Sequence, residues 1–241
     1  MGGTVLRRKI VIIFNILLVA FTLLGLGIML YLNGNEGGLL SSSGWENLKY
    51  FTVLSNVFCG IVAVIFLLTQ VFGISGKGGF QAKRQTGTDG PTVVLKKKVQ
   101  MPGYPLWLLI LKLTAAAAVM VTFLVVACFF GPIYGYGQLY LSSNLWFHLI
   151  IPLLAMVEFC LLDGKLPFRM TFLTGVPAFV YGCVYLGNIL INGKGEWPNT
   201  NDWYGFLNWG YGPAAMIFAG IILTSFGAAC LLRWINSKIN K

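Results

Sequence analysis

The chain carries a single histidine, His148, set in the apolar run Trp146-Phe147-His148-Leu149-Ile150-Ile151-Pro152. An imidazole that gains and loses a proton near neutrality is thus available at one place only. One histidine argues against a three-histidine or mixed His/Cys zinc site, which needs several such ligands together. Cys59, Cys128, Cys160, Cys183 and Cys230 are far apart in sequence, form no CxxC pair and read as small buried hydrophobes. No phosphate-binding glycine loop is present, and no metal or other cofactor is expected. The nucleophile that such a base would activate is sought among hydroxyls. Thr52 stands in Lys49-Tyr50-Phe51-Thr52-Val53-Leu54-Ser55-Asn56. Thr52, Ser55 and Asn56 follow an i, i+3, i+4 spacing, which places two hydroxyls and an amide on one helix face. In a membrane helix such a face turns toward neighbouring helices rather than lipid.

Those residues must be positioned by membrane spans. The sequence is 57% hydrophobic and 10% charged over 241 residues, with a mean hydropathy of +0.78. Soluble domains carry about 25% charged residues, so the solvent of this chain is lipid. Six apolar stretches of crossing length appear, at 10–32, 50–72, 104–130, 144–162, 168–191 and 212–234. Lipid cannot satisfy exposed backbone groups, and no period-2 barrel pattern is seen. The expected fold is therefore an all-α integral membrane protein, a single polytopic domain of six transmembrane helices. The first stretch follows Arg7-Arg8-Lys9 and is about 23 residues long, longer than the 7–15 of a signal-peptide core. It reads as an uncleaved helix.

The net charge of +10 does not point to nucleic acid, because the basic residues sit at the ends of apolar runs. Fourteen Lys and Arg lie before span one, between spans two and three, around the junction of four and five (Lys165, and Arg169 at the start of five), and at the end of six or beyond it (Arg233, Lys238, Lys241). The alternate loops hold only Lys49 and Lys194. The positive-inside rule then places both termini in the cytoplasm. The segment 73–102 reads as a flexible basic cytoplasmic loop. Its Lys96-Lys97-Lys98 run suits anionic lipid head groups as well as topology. The segment 192–210 is an aromatic outer loop, either an interfacial belt or a lid over a site on that side.

In this topology spans two and four both run from outside to inside. His148 lies about four residues into its span, or ~6 Å deep at 1.5 Å per residue, and Thr52 is at a comparable depth. Pro152 has no N–H to give the His148 carbonyl, so a kink is expected at the histidine. Lys112 in span three and Glu158 in span four share a second layer, ~8–12 Å from the inner surface. They are read as an intramembrane ion pair, with a proton path as the alternative. Glu158 lies ~15 Å beyond His148 along the helix, too far to orient the ring.

Taken together, Lys49-Tyr50-Phe51-Thr52 with Ser55-Asn56, His148-x-x-x-Pro152 with an acid further on, the six-span layout and the outer loop bearing Trp, Pro and Asp resemble one family. It is the bacterial branch of the androgen-induced-protein-like membrane proteins, and the resemblance covers nearly the whole chain. Mammalian members are threonine hydrolases of fatty acid esters of hydroxy fatty acids. The resemblance implies that Thr52 is a nucleophile and His148 its base. It implies fatty-acyl ester substrates, membrane lipids as partners, and a bacterial plasma membrane location. The mammalian proteins have an acid where this chain has Ser55. Ser55, Asn56 and Asp202 are the supporting candidates, the first two as oxyanion donors and Asp202 as an orienting acid if the outer loop folds inward. Two further function classes stay open: a small transporter or channel with a polar route through Lys112, Glu158 and His148, and a non-catalytic scaffold. No oligomeric state follows from the sequence.

Overall fold

The structure, a computed structural model, describes residues 2–31, 44–74, 103–196 and 199–240. The basic segment from 75 to 102, including Lys96 to Lys98, lies outside the described residues, as do Trp197 and Pro198 of the aromatic loop. All regular elements among the described residues are helical. Six helices are long and apolar enough to cross a membrane. They are α1 (Gly2–Tyr31), α2 (Phe51–Val71), α3 (Leu106–Tyr134), α4 (Ser143–Leu161), α5 (Phe168–Asn192) and α6 (Tyr211–Ile239).

Three helices overrun the apolar stretches that predict them. α1 begins well before Ile10 and carries Arg7, Arg8 and Lys9 within it. α3 continues to Tyr134 and α6 to Ile239. For α1 and α6 the reason is visible at the end of α4, where the last carbonyls of a helix need donors. Arg7 Nε donates to the Leu161 carbonyl at 2.6 Å and its guanidinium pairs with Asp163 at 3.3 Å. Asn236 near the end of α6 donates to the carbonyls of Phe159 and Leu162, at 2.9 and 2.8 Å. The polar ends of α1 and α6 thus stay helical because they cap α4.

α3 is the central post. It packs on α2, α4, α5 and α6, while α1 lies against α2 and α4. Of its apolar window 61% is buried, against 22% for α6. The consecutive run Ala115 to Ala118 is fully buried. Small side chains there let the neighbouring backbones approach, which is how helices associate without a hydrophobic drive. Gly25 of α1 serves the same end: a Cβ there would meet Phe147 of α4 at 2.8 Å.

α5 opens with a 3-10 stretch, Phe168–Gly175, and two other helices contain π turns, both built in the same way. α3 contains a π turn at Val126–Phe130 and α4 one at Trp146–Ile150. In each the next amide reaches back five residues, Gly131 to the Val126 carbonyl and Ile151 to the Trp146 carbonyl. A proline comes next, Pro132 in α3 and Pro152 in α4. The following bond in that register would run from the proline nitrogen to Ala127 or Phe147, and proline has no N–H. Each orphaned carbonyl is met by a side chain instead. The Tyr136 hydroxyl donates to Ala127 at 2.8 Å, and the Asn56 amide donates to Phe147 at 3.0 Å. The distortion expected at His148 therefore takes the form of a π turn whose loose carbonyl is bonded to α2.

Candidate active site

The two π turns border one cavity. It has a volume of about 1000 Å³ and lies among the N-terminal end of α2, the far end of α3, the start of α4, and residues of α5 and α6. Thr52 and His148 both line it. Val125, Phe129 and Ile133 of α3 and Ile217 and Ile221 of α6 form an apolar wall. The polar lining groups include Asn47, Thr52, Thr122, Ser143, Asn144 and His148. A largely apolar pocket with a few convergent polar groups is the usual form of a small-molecule site.

Local structure fixes each reactive group. Thr52 is in the first turn of α2, where amides have no intrahelical partner. The Phe51 amide donates to the Tyr204 hydroxyl at 2.9 Å and the Val53 amide to the Tyr50 carbonyl at 3.1 Å. The Thr52 amide between them bonds to no carbonyl among the described residues. The Thr52 hydroxyl likewise has no hydrogen-bond partner among the described residues.

His148 is buried, and its Nδ1 lies 2.7 Å from the carbonyl of Leu139, in the short helix Tyr136–Leu139 between α3 and α4. A carbonyl can only accept, so the contact places the ring proton on Nδ1. In the neutral ring Nε2 then carries the lone pair, the form a general base requires.

Ser55 and Asn56 turn out to be braces. The Ser55 hydroxyl donates to the Thr52 carbonyl at 3.0 Å and lies 3.3 Å from the Thr122 hydroxyl. The Asn56 side chain donates to the Thr52 carbonyl at 2.7 Å and to the Phe147 carbonyl at 3.0 Å. Both donors of that amide are spent on backbone, so neither residue is free to hold an oxyanion. What Asn56 does is tie the Thr52 turn of α2 to the residue preceding His148 in α4.

Asp202 is not the group that orients His148. The aromatic loop does fold inward, since Tyr204, Phe206 and Trp209 line the cavity. Yet the Asp202 carboxylate accepts from the Tyr185 hydroxyl and from the amides of Phe206, at 2.9 Å, and Leu207, at 3.0 Å. It caps the short helix Phe206–Trp209 and pins the loop to α5. The orienting role passes to the Leu139 carbonyl. Desolvation beneath the loop, together with the adjacent Tyr181, raises the Tyr204 phenol well above the ordinary tyrosine range. Its hydroxyl therefore stays protonated while accepting the Phe51 amide.

Lys112 and Glu158 meet elsewhere, in the half of the bundle near Arg7. Their charged atoms are 3.2 Å apart and both side chains are buried. Asn15 of α1 completes the cluster. Its amide donates to Glu158 at 2.7 Å and to the Val11 carbonyl at 2.8 Å, and its oxygen accepts from Lys112. The ammonium also lies 5.1 Å from the centre of the Phe66 ring. Neither charged residue lines the His148 cavity.

No family model, curated protein or solved structure matches this chain. The site must therefore be read from its own geometry. Sequence reasoning missed Leu139, Asn15 and Asn144. Only Asn144 carried a usable signal, standing four residues before His148 and so on its side of α4.

Proposed function

We propose that this chain is an intramembrane lipid-ester hydrolase with Thr52 as nucleophile and His148 as base. One observation carries the reading: an unbonded threonine hydroxyl and an imidazole poised with its lone pair on Nε2 line the same apolar cavity. The resemblance of the Thr52 and His148 segments to the androgen-induced-protein-like family supports the same two roles. The distribution of basic residues supports a cytoplasmic position for both termini, which turns the cavity to the opposite face.

The chemistry is acyl transfer in two steps. The Thr52 hydroxyl attacks the ester carbonyl and its proton passes to His148 Nε2. The carbonyl electron pair moves onto oxygen, then returns as the C–O bond to the alcohol breaks. The leaving alcohol takes the proton from Nε2. Water then attacks the threonine ester, giving its proton to His148. The fatty acid departs and Thr52 recovers its proton. The Thr52 amide, which has no carbonyl partner among the described residues, serves as the backbone donor to the developing oxyanion. The acyl chain lies along Phe129, Ile133, Ile217 and Ile221.

A polar conduction route finds less support, because Lys112, Glu158 and Asn15 satisfy one another in a buried cluster apart from His148. The test is hydrolysis of p-nitrophenyl palmitate by the purified protein in nanodiscs. Wild type turns over. Thr52→Ala loses the reaction, and His148→Ala loses roughly 10²–10⁴-fold. Full activity in a folded Thr52→Ala protein overturns the reading and favours a scaffold.

A further inference from the structure

Hydrolysis at Thr52 requires donors for the oxyanion, and the structure commits the amide of Asn56 to carbonyl groups. We propose that Asn144 supplies the side-chain donor, acting with the backbone amide of Thr52. This inference rests on the hydrolase reading and names a third catalytic residue within it.

Three observations lead there. Asn144 lines the same cavity as Thr52 and His148, is half-buried, and its carboxamide has no hydrogen-bond partner among the described residues. It is four residues from His148, so the two share a helix face whether the intervening turn is α or π. The turn that delivers it is set against ordinary preference. The Asn144 amide donates to the Leu141 carbonyl at 3.0 Å, and Ser142 between them holds φ 54°, ψ −129°. That conformation belongs to the first central position of a type II′ turn, which glycine favours. Non-glycine residues persist in such conformations where the surroundings over-determine them, commonly at reactive sites.

In the attack step the bond from Thr52 Oγ to the acyl carbon forms and the carbonyl π pair moves to oxygen. The Asn144 Nδ2–H and Thr52 N–H donate to that oxygen. As the alcohol leaves, the pair returns to carbon and both donors are released. A preorganised amide strengthens its bond as negative charge develops, so its contribution appears in the transition state and not in substrate binding.

The experiment compares wild type, Asn144→Ala and Asn144→Asp in p-nitrophenyl palmitate hydrolysis. Asn144→Asp keeps the shape and replaces donors with acceptors. Removing one oxyanion donor typically costs about 10²–10³-fold in kcat, and that loss is expected in both variants with KM nearly unchanged. Thermal unfolding of the variants reports whether the turn survives. A purely structural role for Asn144 predicts lowered stability and altered KM, with Asp rescuing the shape. Wild-type kcat in either folded variant overturns the proposal while leaving the Thr52 and His148 roles intact. Absence of wild-type turnover overturns the hydrolase reading, and the role of Asn144 falls with it.

Discussion

Asn56 of α2 donates its side-chain amide to the carbonyl of Phe147 in α4 at 3.0 Å. The acceptor exists because α4 makes a π turn and then meets Pro152, leaving that carbonyl without a backbone donor. The same amide holds the Thr52 carbonyl at 2.7 Å. One side chain therefore sets the spacing between the turn that bears the hydroxyl and the turn that bears the imidazole. Replacing Asn56 with Leu leaves a buried carbonyl unpaired, which costs about 1–3 kcal/mol. The expected result is a lower unfolding temperature in detergent and a loss of hydrolysis larger than that stability change explains. Hydrolysis at the wild-type rate would show that the spacing does not depend on this bridge.

The two candidate reactive residues were legible because topology fixes depth. Counting residues from span ends places Thr52 and His148 in one layer, and in the structure both line one cavity. The proline four residues after the histidine announced an irregularity. Its form was hidden, because a π turn rather than a kink depends on a donor from another helix. For the same reason Asn56 read as an oxyanion donor: its face was visible in the sequence, its two carbonyl partners were not. Asp202 read as an acid near the site, while its partners are a tyrosine on α5 and two amides in its own loop. The ends of α1 and α6 were underestimated because hydropathy does not register Arg7 and Asn236 capping α4.

Pro152 offers a direct probe of the π turn. Pro152→Ala restores an N–H that can reach back four residues to the His148 carbonyl, or five to the Phe147 carbonyl that Asn56 now holds. α4 then gains a backbone bond and relaxes toward α geometry, turning His148 away from the cavity. Stability should hold or rise, since a proline within a helix costs about 3 kcal/mol, while hydrolysis falls at least tenfold, about 1.4 kcal/mol in the barrier. Unchanged activity in a more stable variant would separate the π turn from function.

The Lys112–Glu158 pair predicts a sharp non-additivity. Removing one partner leaves a buried charge, and Glu158→Leu or Lys112→Met alone should destabilise by about 3–5 kcal/mol. The double variant should recover most of that loss, because an apolar pair of similar volume is tolerated where the ions were. Asn15 then loses two partners, so recovery stays incomplete. Thermal unfolding of the four proteins in one detergent makes the comparison. An additive double variant would mean that the two charges do not stabilise each other.

The loop latch carries a pH signature. The Tyr204 phenol is raised in the folded protein, so its neutral form is the one folding favours. That contribution is fully present below the ordinary tyrosine pKa of about 10 and is lost as pH rises through the elevated folded value. Wild-type unfolding temperature should therefore decline above pH 10. Tyr204→Phe, which cannot ionise and also abandons the Phe51 amide, should start lower and decline less steeply. Parallel curves for the two proteins would remove Tyr204 from the latch.

The central claim is that Thr52 is a hydroxyl activated by His148. Its most direct test is labelling of the purified protein with a fluorophosphonate probe, followed by peptide mass spectrometry to locate the adduct. The account predicts one phosphonylated residue, Thr52, in wild type, with no adduct in Thr52→Ala and little in a folded His148→Ala. Wild type that stays unlabelled, or an adduct that persists when His148 is replaced, would contradict it.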